Sequence, residues 1–166
     1  MPSHDPAFLV AFGATPADAR ARLEHEIKAF EAAVRAQPAW LFPLPGRPWS
    51  PAQLAEHVLL VNESAGKAMH VLGSDRPLPE TARAELVVID GKNQAPPATQ
   101  PGPGQPWAEL EPRWQRVHAR LLHTAAGIDP DSPRALWHPG FGDLSALDWL
   151  RVSAFHTRHH RRQLPG

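Results

Sequence analysis

Trp149, Val152, His156, His160 and Gln163 recur at steps of three and four residues near the end of the chain. On a helix that spacing sets them on one face. Two imidazoles one turn apart can hold a metal ion from a single helix, and imidazole suits zinc, nickel, iron and copper alike. The pattern also has a plainer reading. Histidine and arginine in a last turn favour the negative end of the helix dipole and need no metal. The zinc-protease arrangement is excluded, because it requires Glu directly after the first His as general base and Thr157 stands there. Arg158, Arg161 and Arg162 fall off the histidine face and are expected in water.

Two histidines make only part of a site, so a third ligand must come from another element. His57 lies between Leu54 and Val61 on the apolar stripe of an earlier helix and faces the core with them. A histidine so placed is equally at home as a hydrogen-bonded core residue. His118, at the edge of a third apolar stripe, is its rival. His70 follows His57 by thirteen residues and at ~100° per residue points to the other side of that helix.

The elements that carry these residues are marked by their caps. Thr15-Pro16-Ala17-Asp18 predicts a helix from about Pro16 to Gln37, with Leu23, Ile27, Phe30 and Val34 as its stripe and its charges off the stripe. Ser50-Pro51-Ala52-Gln53 is a full capping box and opens a second helix to about Leu72. Trp49, just before that cap, is placed to staple the helix start to the core. A third helix spans roughly Pro106 to Ala126, with Pro112 expected to kink it or delay its start. Ser145-Ala146-Leu147-Asp148 caps the fourth. Phe8, Leu9 and Val10, in an irregular lead-in, can pack on the bundle.

Residues 73 to 105 form a long proline- and glycine-rich connection between helices two and three, which excludes a continuous helix through its second half. Within it Leu86-Val87-Val88-Ile89 must find cover. A connection this long is often a lid or a dimer contact. With four capped amphipathic helices and no clear sheet, the chain is expected to be an all-α four-helix bundle. If the second and fourth helices run antiparallel, His57 near the start of one meets the His pair near the end of the other.

At 166 residues the chain has room for one domain, taken as 1–166. Seventeen basic and seventeen acidic residues leave no net charge to attract nucleic acid or anionic membrane. The absence of cysteine removes disulfides, thiolate nucleophiles and thiolate ligands together. The opening Met-Pro-Ser-His-Asp-Pro lacks a basic then apolar pattern, so no signal peptide is expected and a cytoplasmic location is the default.

Several short motifs together resemble the DinB-like (DinB/YfiT-like) metalloenzyme family. Trp49-Ser50-Pro51 followed by Glu56-His57 is similar to that family's second-helix signature. His138-Pro139, Phe141-Gly142, Leu144-Ser145, His156-x-x-x-His160 and Gln163-Leu164 are similar to its closing segment, in the same order. The resemblance implies a four-helix bundle holding a divalent metal on three histidines, and those positions fall on His57, His156 and His160. It also implies frequent homodimers, and a name that reflects DNA-damage induction rather than DNA chemistry. Members of known activity include transferases using bacillithiol, mycothiol or glutathione and a mycothiol-dependent isomerase. The chain stops at Gly166, where members often continue, so no ligand or interface is expected from such an extension.

The expected function is therefore transfer of a low-molecular-weight thiol, supplied as co-substrate, to an electrophilic small molecule, dependent on zinc, nickel or iron. The alternatives are a metal-dependent hydrolase of the same fold, with Glu56 or Glu63 as base, and a non-catalytic bundle that binds metal or a small ligand. Catalytic residues beyond the ligands are not assigned.

Overall fold

In the computed structural model, which describes residues 4–166, the caps at Thr15, Ser50 and Ser145 close the helices they precede, while the third helix, preceded by Pro106, has no side-chain cap. Thr15 Oγ1 accepts the Asp18 N–H at 3.1 Å and opens α1, Pro16–Arg35. Ser50 and Gln53 satisfy each other's backbone N–H groups and open α2, Pro51–Leu72. Ser145 Oγ accepts the Asp148 N–H and opens α4, Ala146–Arg161. Each bond satisfies a donor that the first helical turn would otherwise leave bare.

The third helix, α3, runs Trp107–Ala125 without a break at Pro112, and its start is not delayed. Pro112 cannot donate to the Ala108 carbonyl, but both residues are exposed and water can take that carbonyl.

Helix α1 packs on α4, and α2 packs on both α3 and α4. Leu23, Phe30, Leu59, Trp114, Leu121 and Leu150 are fully buried between them. A 3-10 helix, Pro6–Phe12, precedes α1 and rests on α4. It buries Leu9 and Phe12, while Phe8 and Val10 stay largely exposed.

Two charge placements differ from expectation. Glu26 lies on the buried stripe of α1, with 1% of its side chain exposed. It is balanced by Arg22 and by Arg161, each at 3.0 Å. Arg161 is thus not a solvated arginine; it ties the end of α4 to α1. A carboxylate this buried persists because two guanidinium groups face it. Arg158 lies over the Phe12 ring at 5.6 Å, and of the three arginines Arg162 is the exposed one.

Small antiparallel hairpins appear where no sheet was expected. Strands β1, Val88–Ile89, and β2, Lys92–Asn93, flank Asp90-Gly91. Both turn residues have positive φ, +50° and +72°, as a tight two-residue hairpin turn requires. Leu86 finds cover, but Val87, Val88 and Ile89 remain 63%, 56% and 55% exposed, so most of that apolar run is uncovered. Strands β3, Leu136–His138, and β4, Gly142–Leu144, pair just before α4. That hairpin turns the Trp137-His138-Pro139-Gly140 segment over the N-terminal end of α4. Among the described residues, no helix is long and apolar enough to cross a membrane.

Candidate metal centre

The start of α2 and the end of α4 meet, and His57, His156 and His160 come together there. His156 Nε2 lies 3.1 Å from His57 Nε2 and 3.1 Å from His160 Nε2. Nitrogens held tetrahedrally at ~2.0–2.1 Å around one ion stand about 3.3 Å apart, so the spacing suits a single cation.

Hydrogen bonding on the far side of the rings decides which nitrogens are bare. His57 Nδ1 lies 2.7 Å from the Thr99 carbonyl oxygen, and His160 Nδ1 lies 2.9 Å from Gln163 Oε1. Each oxygen accepts a ring N–H, which puts the proton of the neutral ring on Nδ1 and leaves Nε2 with its lone pair. Two lone pairs therefore converge on a third imidazole nitrogen. A proton on His156 Nε2 can point to only one of them, whereas a cation satisfies all three. His156 Nδ1 is buried without a hydrogen-bond partner. The donor set and its outer bonds fit a divalent metal.

Protonation points the same way. Burial pushes His57 below the usual imidazole range, opposed by the Thr99 carbonyl. Burial, followed by the neighbouring His160 and His57, holds His156 well below it. Burial and then His57 push His160 down to about 3, opposed by Gln163. Neutral rings are the form that binds metal.

His118 does not join this group. It is buried on α3, where Asn62 Nδ2 donates to its Nε2 at 3.0 Å and the Trp114 ring lies 4.3 Å away. Its pKa is pushed down to about 4 by burial, opposed by the Trp114 carbonyl. His118 is a core histidine, and the third position in the cluster falls to His57. His159 is exposed and stays outside the ligand group: it lines the cavity, its ring lies 5.1 Å from that of His160, and Gln163 Nε2 donates to it at 2.9 Å.

Above the three histidines opens a cavity of about 770 Å³. Leu54, Val61, Trp149 and Val152 give it an apolar wall. Trp49 is partly buried against the core, as expected, and also forms part of this wall, with its ring 4.7 Å from that of His57. The long connection between α2 and α3 supplies another wall, from Leu86 and from Lys92 to Gln100, and brings Thr99 to His57. Among the described lining residues there is no Asp or Glu, while Arg47 and Lys92 add fixed positive charge. Glu56 accepts the Gly102 N–H at 3.1 Å, and Glu63 pairs with Arg113 at 2.8 Å; neither lines the cavity.

Sequence reasoning missed Thr99 and His138. Thr99 acts through its backbone carbonyl, which carries no side-chain signature. His138 stood in plain view in a turn-rich motif, but no spacing rule linked it to a helix face.

A four-helix bundle with a three-histidine group between the start of α2 and the end of α4 defines a class of protein with a potential metal centre at one end. Residues 18–164 match the DinB superfamily, and the chain belongs to it. A solved structure described as TT2238, a four-helix bundle protein, is 31% identical, with a TM-score of 0.63 over 90% of this chain and 97% of the other. No curated protein matches the chain.

Proposed function

We propose that the protein is a metal-dependent enzyme that transfers a low-molecular-weight thiol to an electrophilic small molecule. The observation that carries this reading is the convergence of three imidazoles, two of them with bare Nε2 atoms, on a largely apolar cavity with no carboxylate among its described lining residues. His57, His156 and His160 would hold the metal, with Thr99 and Gln163 fixing two of the rings. A divalent cation bound there would lower the pKa of a bound thiol from ~8.5, so that it is ionised at neutral pH. The chain has no cysteine, so the sulfur must come from a small molecule.

The cavity supplies the rest. Trp49, Leu54 and Val152 exclude water and accept an apolar electrophile; holding two reactants together adds to the rate beyond ionisation. Arg47 and Lys92 favour a thiol that carries carboxylates, such as glutathione. The same lining disfavours hydrolysis, because Glu56 and Glu63 are bound elsewhere and no Asp or Glu among the described lining residues is placed to take a proton from water.

The test is conjugation of a chromogenic electrophile by metal-loaded protein, with bacillithiol, mycothiol and glutathione in turn. Turnover should require both metal and thiol and vanish in His57→Ala. If no thiol gives a rate above background across several electrophile classes, the transfer reading fails and a binding bundle replaces it.

A further inference from the structure

His138 lines the same cavity as the three convergent histidines. Its Nδ1 accepts the Gly140 N–H at 3.0 Å. A ring nitrogen that accepts a backbone N–H carries no proton, so the neutral imidazole has its proton on Nε2. The ring cannot easily turn away. Phe141 and Trp149 meet it edge-on at centroid distances of 5.3 and 5.0 Å. The Gly140 turn beside it is tight: a Cβ at Gly140 would lie 3.2 Å from Leu86 Cδ1 and 3.5 Å from His138 Cε1.

Among the described residues, no protein group accepts from His138 Nε2. That donor is left to water or to an acceptor that enters the cavity His138 lines, and a ligand acceptor displacing the water keeps the bond. The neighbouring wall is apolar, with Phe141, Trp149 and Val152. A ligand that brings its oxygen to His138 would lay an apolar body against Phe141 and Trp149.

We propose that His138 is a substrate-binding donor, its Nε2–H receiving the carbonyl oxygen of an α,β-unsaturated ketone or aldehyde whose apolar body fills the cavity. This rests on the thiol-transfer reading and narrows its electrophile. The thiol gives its proton to water. The thiolate sulfur forms a bond to the β-carbon, and the alkene π pair moves to make an enolate. His138 keeps its proton and donates a stronger hydrogen bond to the oxygen as charge gathers there. Water then protonates the α-carbon, so the net change is addition of S–H across the double bond. An alkyl halide, which sheds its charge on the departing halide, gives His138 nothing to hold.

The experiment separates this contact from catalysis. Binding of the unreactive ketone 4-phenylbutan-2-one and of butylbenzene, which lacks the oxygen, is followed by tryptophan fluorescence in metal-loaded and metal-free protein. Trp49 and Trp149 both line the cavity and report on it. His138→Ala should weaken the ketone about three- to tenfold, the loss expected for one neutral hydrogen bond, and leave butylbenzene within twofold. His138→Gln, which can both accept from Gly140 and donate, should recover most of the loss. In wild-type protein, ¹⁵N NMR should show His138 with its proton on Nε2, and that nitrogen should shift when the ketone binds. For thiol addition, His138→Ala should slow an enone far more than benzyl chloride. Equal loss of both ligands, a proton on Nδ1, or an Nε2 signal unmoved by the ketone would each overturn the proposal. Should thiol transfer fail with every electrophile while the ketone-specific loss remains, the transfer reading falls and the His138 contact stands.

Discussion

Replacing Gln163 with Leu removes the acceptor at 2.9 Å that holds the His160 proton on Nδ1. Freed of that bond, the His160 ring can place its proton on Nε2, the nitrogen that faces His156 at 3.1 Å, and can also swing out of register. Loss of such an outer hydrogen bond typically weakens metal binding 10–100-fold, or ~1.4–2.7 kcal/mol. Gln163→Glu keeps an acceptor at the same reach and should hold wild-type affinity or exceed it. His159→Ala removes an exposed ring that touches Gln163 and the His160 ring without joining the ligand group, and its effect should stay below that of Gln163→Leu. His57→Ala, His156→Ala and His160→Ala should each abolish stoichiometric binding. The assay is zinc competition against a chromophoric chelator at pH 7.5, on protein purified without a histidine tag. Unchanged affinity in Gln163→Leu, or loss of the site in His159→Ala with retention in His160→Ala, would refute the assignment of the ligand face of α4.

Acid should destabilise the metal-free protein in a window set partly by His118. Its pKa falls from 6.5 to about 4 on folding, so between those values the unfolded chain binds the extra proton. Stability is full above 6.5 and is lost as pH falls toward 4, by up to ~3 kcal/mol. Urea titrations of metal-free wild-type and His118→Gln protein should differ in slope across that window and run parallel above it. Chelation should lower the melting temperature without erasing the helical circular dichroism, because the apolar core that the four helices share is built from residues other than the three ligands; complete unfolding would make the metal structural. Arg161→Ala should leave Glu26 with Arg22 alone and destabilise by about 1–3 kcal/mol, short of the ~3–5 kcal/mol for a buried charge stripped of its partner. Thermal melts read this directly, and no change would mean that Arg22 and solvent suffice.

The caps, the stripes and the resemblance were legible in the chain because each depends on residues a few positions apart. Thr15, Ser50 and Ser145 bond to donors three residues away. The pairing of His156 with His160 needs only the pitch of one helix. Asp90-Gly91, a hairpin signal of the same short range, is likewise written in the chain. What only the tertiary structure decided depends on distant residues meeting. His57 and His118 carry similar local patterns, and packing of α2 on α4 made one a neighbour of the His pair while α3 paired the other with Asn62. Glu26 is a charged residue on an apolar stripe until Arg161, 135 positions away, reaches it. The Thr99 carbonyl that orients His57 belongs to backbone, and no residue type announces it. Local chemistry set the helices and offered the ligands; long-range packing chose among them, because burial and hydrogen-bond partners are properties of the folded neighbourhood rather than of the residue.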